Sequence, residues 1–313
     1  TRDKILEKKQ NKVAKSGGPW KTNKAYLFII PGLLVFFIFN LYPIIFSVYL
    51  GFTNAYFGNI AGKYQFIGLW NFEKLLFSID TRFYYVLGRT FLFVATSVPL
   101  KVLIGVALAA FFNTQTVKGR NILRSLLILP WTLPAILSIL TWRGLFSLEF
   151  GAINGILQAI GLPRVNWLHD ATNAFIAYNI VEVWLAYPFM MTVILAALQS
   201  VPPELYDSAR IDGASVWQRF RYIILPLIWR PLLFSMVLTS NASFQAFLVP
   251  YLLNAGGPAN QNELIMVWGY KQAFNNPGVP GSMGLAAAFF VLISLIILVF
   301  SFIGLKMGKI TVE

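Results

Sequence analysis

A chain of 313 residues that is 57% hydrophobic, with mean hydropathy +0.66, exceeds the roughly 45–50% apolar share of soluble domains and reads as one membrane-embedded bundle. It has no cysteine and a single histidine, His169, which excludes disulfides, thiolate chemistry and a His-built metal cluster. Its net charge of +13 does not point to nucleic acid, because no DNA- or RNA-binding module follows the basic residues.

The first stretch, 1–24, carries Arg2, Lys4, Lys8, Lys9, Lys12, Lys15, Lys21 and Lys24 directly before an apolar run. Lys and Arg resist translocation, so this reads as a cytoplasmic tail that also suits anionic membrane lipids. A bilayer core needs about 20 apolar residues per helix, and six runs qualify, near 25–52, 84–112, 122–146, 174–201, 227–254 and 283–305. The first run is too long for a signal-peptide core and has no small-residue cleavage site after it, so it is expected to stay as a span. The reading is all-α: a polytopic membrane protein with six transmembrane helices over 25–306 and a short cytoplasmic tail over 307–313. With the N-terminus inside, seventeen Lys and Arg fall on the inner side and seven on the outer, with Lys101 inside the second span. That bias places both termini in the cytoplasm of a prokaryotic inner membrane.

Three outer loops, 53–83, 147–173 and 255–282, are rich in Gly, Pro, Asn and aromatics. Within the first, Gly58 to Lys63 is one residue short of a phosphate-binding loop and is followed by Tyr64, so it reads as a turn.

The most informative segment is internal and cytoplasmic, 202–226. Pro202 and Pro203 stop the fourth span. Glu204 and Asp207 are expected in the first turn of a short helix, where negative charge suits the dipole. Leu205 and Ala209 lie four apart on that helix. Gly213 is placed to end it in a left-handed conformation. Ser215 and Gln218 have capping-box spacing for a second helix, with Trp217, Phe220 and Ile224 as its apolar stripe and Arg219 and Arg221 off it. Pro226 is expected to break that helix before the fifth span. The product is a doubly capped helix–turn–helix knob held between two membrane spans.

Asp207-Ser208-Ala209, then Gly213, then Ile223, Leu225 and Pro226 are similar in spacing to the E-A-A, Gly, I-x-L-P loop of permease subunits in ATP-binding-cassette importers. The chain resembles the permeases of binding-protein-dependent carbohydrate importers of the maltose and oligosaccharide type. Trp184 to Met191, Phe247 to Pro258, and Gly284 to Ala288 add to the likeness. The resemblance implies the type I importer permease fold. It implies a second permease subunit, two ATPase subunits that bind ATP and magnesium, and an extracytoplasmic solute-binding protein that delivers a sugar. This chain itself would hold no cofactor, no metal and no catalytic residue. The ATPase-coupling set would be Glu204, Leu205, Tyr206, Asp207, Ser208, Ala209, Arg210, Asp212, Gly213 and Pro226.

Polar and aromatic groups inside spans are default substrate candidates. The fourth span offers Asn179, Glu182, Trp184 and Tyr187; the fifth offers Thr239, Asn241, Ser243 and Gln245. The resemblance adds Leu185, Ala186 and Phe189, and it puts Ser243 and Ala246 where maltose-type permeases carry asparagine. Small hydroxylated residues also pack membrane helices together, and both readings stay open for Ser243 and Gln245. Lys101 and Glu182 are each expected to need a partner, because a lone charge at the bilayer centre costs roughly 3 kcal/mol or more. An ion pair between them is one solution, and a proton relay is the alternative. Arg143 reads as an interfacial anchor that also suits acidic sugars, which keeps uronate oligomers among the substrates. An ion-coupled secondary sugar transporter is the alternative; it would want paired intramembrane carboxylates or inverted repeats, and neither is evident.

Overall fold

A computed structural model describes residues 22–78, 82–114, 119–275 and 278–310, with side chains described from 28 to 306 in those ranges. The expected basic tail lies outside the described residues as far as residue 21.

Apolar runs without helix-breaking clusters fold as helices, because in lipid the backbone must satisfy its own hydrogen bonds. The helices are α1 (Thr22–Phe36), α2 (Tyr42–Leu50), α3 (Trp70–Phe77), α4 (Phe83–Asn113), α5 (Arg120–Thr132), α6 (Ala135–Leu145), α7 (Ala152–Ala159), α8 (Ala171–Gln199), α9 (Pro203–Ile211), α10 (Val216–Arg219), α11 (Leu225–Phe244), α12 (Leu248–Asn254), α13 (Ile265–Phe274) and α14 (Ser282–Ile310). Among the described residues five stretches are long and apolar enough to cross a membrane: Phe28–Leu50, Phe83–Asn113, Ala171–Gln199, Val216–Asn254 and Ser282–Lys306. The backbone of α14 continues past residue 306, so the tail expected from 307 begins inside a helix.

The third expected span departs from the sequence reading. It is two helices, α5 and α6, meeting at 94°. Leu133 precedes Pro134, and a residue before proline is pushed out of helical backbone; Leu133 is extended at ψ 146°.

Two wide π-turns join helices that the sequence reading either ran together or separated. Phe37–Leu41 links α1 to α2, and Phe220–Ile224 links α10 to α11. Each lies just before a proline, Pro43 and Pro226 respectively. A proline ring clashes with the carbonyl four residues back, and a wider turn relieves that clash without ending the helix. Pro226 therefore does not break the chain into loop and span, as expected from sequence. It sits in the first turn of α11, which continues from α10.

The outer loops also contain more helix than expected: α3, α7 and α13. Helix α13 is part of the core, with the Trp268 ring 4.5 Å from Phe289 of α14. Around it Phe72, Leu75, Phe83, Val86, Ile265 and Ile293 form one buried cluster. A second cluster joins Phe112, Met190, Met191, Ile194, Leu198, Ile228 and Leu232 from α4, α8 and α11. Helices α4 and α8 touch closely enough at Gly105 that a Cβ there would lie 2.7 Å from Met190 Cβ.

Candidate functional site

The knob forms at 202–226 much as its residues dictate. Pro202 is the N-cap of α9, and Glu204 occupies the first turn. Asp207 does not; it falls one turn further along, where it faces Arg210 at 3.8 Å with both side chains about 70% exposed. A pair so solvated contributes little. The helix ends in a full Schellman motif. Gly213 takes φ +75°, its N–H donates to the Arg210 carbonyl at 3.1 Å, and the Ala214 N–H donates to the Ala209 carbonyl at 2.9 Å. Asp212 is the C-cap. Ser215 then starts α10 with both capping-box bonds: its backbone N–H donates to Gln218 Oε1 at 2.7 Å, and the Gln218 N–H donates to Ser215 Oγ at 3.3 Å.

The two faces of the knob differ. Ala209 is buried and Tyr206 packs against the second core cluster, where desolvation pushes its phenol above the usual tyrosine range. Ser208 Oγ donates to the Glu204 carbonyl at 2.9 Å, which closes it on its own helix. Leu205, Ile211, Val216 and Trp217 are exposed, Ile211 to 87%. The sequence reading missed Ile211 and Val216. Their signal was available: two apolar residues flanking the Gly213 turn in an otherwise charged segment. Beneath α9 lies an 850 Å³ cavity lined by Asn113, Arg120, Gln199, Tyr206, Asp207 and Arg210 among others.

In mid-span, Lys101 of α4 is fully buried. Its Nζ donates to Glu182 Oε1 of α8 at 2.7 Å and to Ser243 Oγ of α11 at 2.7 Å. The Ser243 hydroxyl also lies 3.0 Å from the Thr239 carbonyl of its own helix. The expected ion pair is thus formed and tied to a third helix. Tyr187 is buried and its OH donates to the Leu127 carbonyl at 3.0 Å; Leu185, Ala186 and Phe189 are half-buried beside it. Thr239 is buried, and among the described residues its Oγ1 has no partner. Asn241 faces the other way, accepting from Ser301 Oγ of α14 at 3.0 Å. Gln245 is exposed, with Nε2 donating to the Asn241 carbonyl at 3.2 Å. The structure therefore brings Ser243 to α4 and α8 and turns Asn241 to α14, with Thr239 buried one turn before Ser243 on α11.

At the end of the bundle away from the knob, in a loop read from sequence as an outer one, segment 254–263 is held by side chains from elsewhere. Arg82 Nη2 donates to the Asn260 carbonyl at 2.8 Å, Arg89 Nε to the Gln261 carbonyl at 2.9 Å, and Arg89 Nη2 to Asn262 Oδ1. Lys271 Nζ donates to the Ala255 carbonyl at 2.8 Å and pairs with Glu263 at 2.8 Å. This segment lines a 740 Å³ cavity together with Arg143, Leu168 and His169. The backbone N–H of His169 donates to Asn166 Oδ1 at 3.2 Å.

A bundle of bent membrane-length helices carrying one doubly capped knob is the architecture of a membrane transport subunit. Residues 81–306 match the family described as the binding-protein-dependent transport system inner membrane component, and the chain belongs to that family. It is a transport component rather than an enzyme, embedded in a membrane and working with a binding protein. It is 33% identical over 284 residues to the trehalose/maltose transport system permease protein MalF of Thermococcus litoralis, covering 91% of this chain and 93% of that one. It is 30% identical over 298 residues to the maltodextrin transport system permease protein MdxF of Bacillus subtilis, covering 90% and 68%. In fold it is similar to a chain of a bacterial ABC transporter involved in import of the acidic polysaccharide alginate, with TM-score 0.79, 23% identity, and 94% and 99% of the two chains covered.

Proposed function

We propose that this permease forms half of the path of an ATP-driven importer for a sugar or oligosaccharide, neutral or uronate-bearing. An extracytoplasmic solute-binding protein delivers the sugar. A second permease subunit completes the path, and two ATPase subunits, binding ATP with magnesium, drive it. Both termini lie in the cytoplasm, in keeping with the excess of Lys and Arg on that side. The relatives named for maltose, trehalose and maltodextrin transport support the sugar class.

The knob couples hydrolysis to transport, and one observation carries this reading. Its caps fix a helix pair whose apolar residues Leu205, Ile211, Val216 and Trp217 point outward. Exposed apolar groups on a charged, rigid platform suit a protein partner. Glu204, Tyr206, Asp207, Ser208, Ala209, Arg210, Asp212, Gly213 and Pro226 shape and present that face. Closure of the ATPase dimer would move two such knobs and rock the helix bundles between inward-open and outward-open states. The sugar would pass along α8 and α11, where Leu185, Ala186, Tyr187, Phe189, Thr239, Asn241, Ser243 and Gln245 are the candidate contacts.

The native chain lacks cysteine, so Ile211→Cys introduces a unique thiol. A short thiol-reactive crosslinker in the reconstituted assembly should capture an ATP-hydrolysing subunit. Capture of lipid alone would overturn the docking reading. Ala209, being buried, is unsuited to the experiment.

A further inference from the structure

Segment 254–263 contains three non-glycine residues in left-handed backbone: Ala255 at φ 53°, Ala259 at 46° and Asn260 at 59°. Each costs on the order of 1 kcal/mol or more, and such strain persists only where the surroundings over-determine it. Here the surroundings are identifiable. Arg82, Arg89 and Lys271 pin the Asn260, Gln261 and Ala255 carbonyls, and Asn262 Nδ2 donates to the Ala171 carbonyl at 2.7 Å. All three strained residues line the same 740 Å³ outer cavity, whose wall is thereby preformed.

The same cavity holds a charge. Arg143, at the end of α6, lines this cavity and an adjoining one of 440 Å³; both share Leu168 and His169. Arg82, Arg89 and Lys271 are engaged by carbonyls or by Glu263. Among the described residues no hydrogen bond or ion pair engages the Arg143 guanidinium. Tyr251, its ring 4.9 Å from Phe247 and 5.2 Å from Tyr270, gives the larger cavity a fixed aromatic surface.

From this geometry we infer an outer saccharide subsite that selects a carboxylate-bearing sugar. The Arg143 fork takes the carboxylate in two parallel N–H···O bonds, and Tyr251 offers a ring face to an adjoining sugar. One unpaired guanidinium, with Glu149 also lining the smaller cavity, matches a monoanion such as a uronate better than a phosphate dianion. Cavity volumes of 740 and 440 Å³ fall in the range of small-ligand sites. The inference rests on the sugar-importer reading and narrows its substrate class to acidic saccharides.

The test uses the whole assembly in lipid nanodiscs and proteoliposomes, with trigalacturonate and maltotriose as probes. Binding and uptake are measured for wild type, Arg143→Gln and Arg143→Lys, with the yield of intact assembly as the folding control. The preference for trigalacturonate over maltotriose should fall about tenfold in R143Q, the effect of one charge-assisted pair, and recover only in part in R143K. Should R143Q fail to assemble, R143K, which keeps the charge and loses the fork, still reads the preference. If wild type handles maltotriose but not trigalacturonate, or if the variants leave the ratio unchanged, the acidic subsite is wrong and the sugar importer stands. If neither sugar is bound or imported, the acidic subsite is wrong, and the sugar-importer reading fails with it only if a wider panel of neutral and acidic saccharides is refused as well.

Discussion

Lys101 Nζ lies 2.7 Å from Glu182 Oε1, joining α4 to α8 in the middle of the bundle, and Ser243 of α11 completes the contact. Neither charge could be kept there alone. Removing one partner leaves the other buried and uncompensated, at a cost of about 3–5 kcal/mol, whereas replacing both with apolar residues of similar volume is often tolerated. Lys101→Met should therefore lower the melting temperature of the detergent-solubilised assembly sharply, as should Glu182→Leu, while the double variant recovers most of the loss. A double variant as unstable as the worse single would show that the pair does not act as a unit.

Gly213 is surrounded by open space, so only its backbone conformation restricts what can replace it. An alanine at φ +75° costs roughly 1–2 kcal/mol, and asparagine less. Gly213→Val should uncouple ATP hydrolysis from uptake while the chain still reaches the membrane, and Gly213→Asn should remain partly active. Wild-type coupled ATPase in G213V would count against the knob as the coupling element.

Ser215→Ala deletes the side-chain acceptor of the capping box and should weaken α10 by about 1 kcal/mol. Hydrogen exchange at the amides of Gln218, Arg219 and Phe220, which donate to Ser215 Oγ, to the Ser215 carbonyl and to the Val216 and Trp217 carbonyls, is the direct measure, with several-fold faster exchange expected there and little change in α8. Unchanged exchange at all three amides would show that the cap does not stabilise the helix.

Gly284 meets a harder limit. A Cβ at this position would overlap the Thr53 carbonyl oxygen, which already accepts from Asn71 Nδ2 at 2.8 Å, and the Gly284 N–H donates to the Ala55 carbonyl at 3.0 Å. The backbone cannot step aside without breaking these bonds. Gly284→Ala should destabilise the fold by about 1–3 kcal/mol, and membrane levels should fall. Normal levels and an unchanged melting temperature would contradict this packing.

Much of this architecture was legible in the residues. Apolar runs of bilayer length gave the spans, and Gly213, Ser215 and Gln218 gave the turns and caps of the knob, because each of those signals is local. The need of Lys101 and Glu182 for partners was legible from cost alone. The bend at Leu133 was not, because a broken span keeps the composition of a straight one and only the X-Pro step marks it. The π-turns before Pro43 and Pro226 escaped for a related reason: proline signals an obstacle, and whether the helix stops or widens depends on what packs beyond it. Helix α13 was hidden within a loop rich in turn residues, and its Trp268 finds its environment through α14, far away in sequence. The opposite directions of Asn241 and Ser243 depend on how α11 is rotated in the bundle, which no short window of sequence specifies.

Because the π-turn at 220–224 widens the helix instead of ending it, residues from Val216 to Phe244 form a single shaft, about 44 Å long at roughly 1.5 Å per residue. A push on Trp217 would be carried along this helix, past the π-turn and Pro231, toward the level where Ser243 meets Lys101, which places the exposed knob and the buried charge pair on one continuous element.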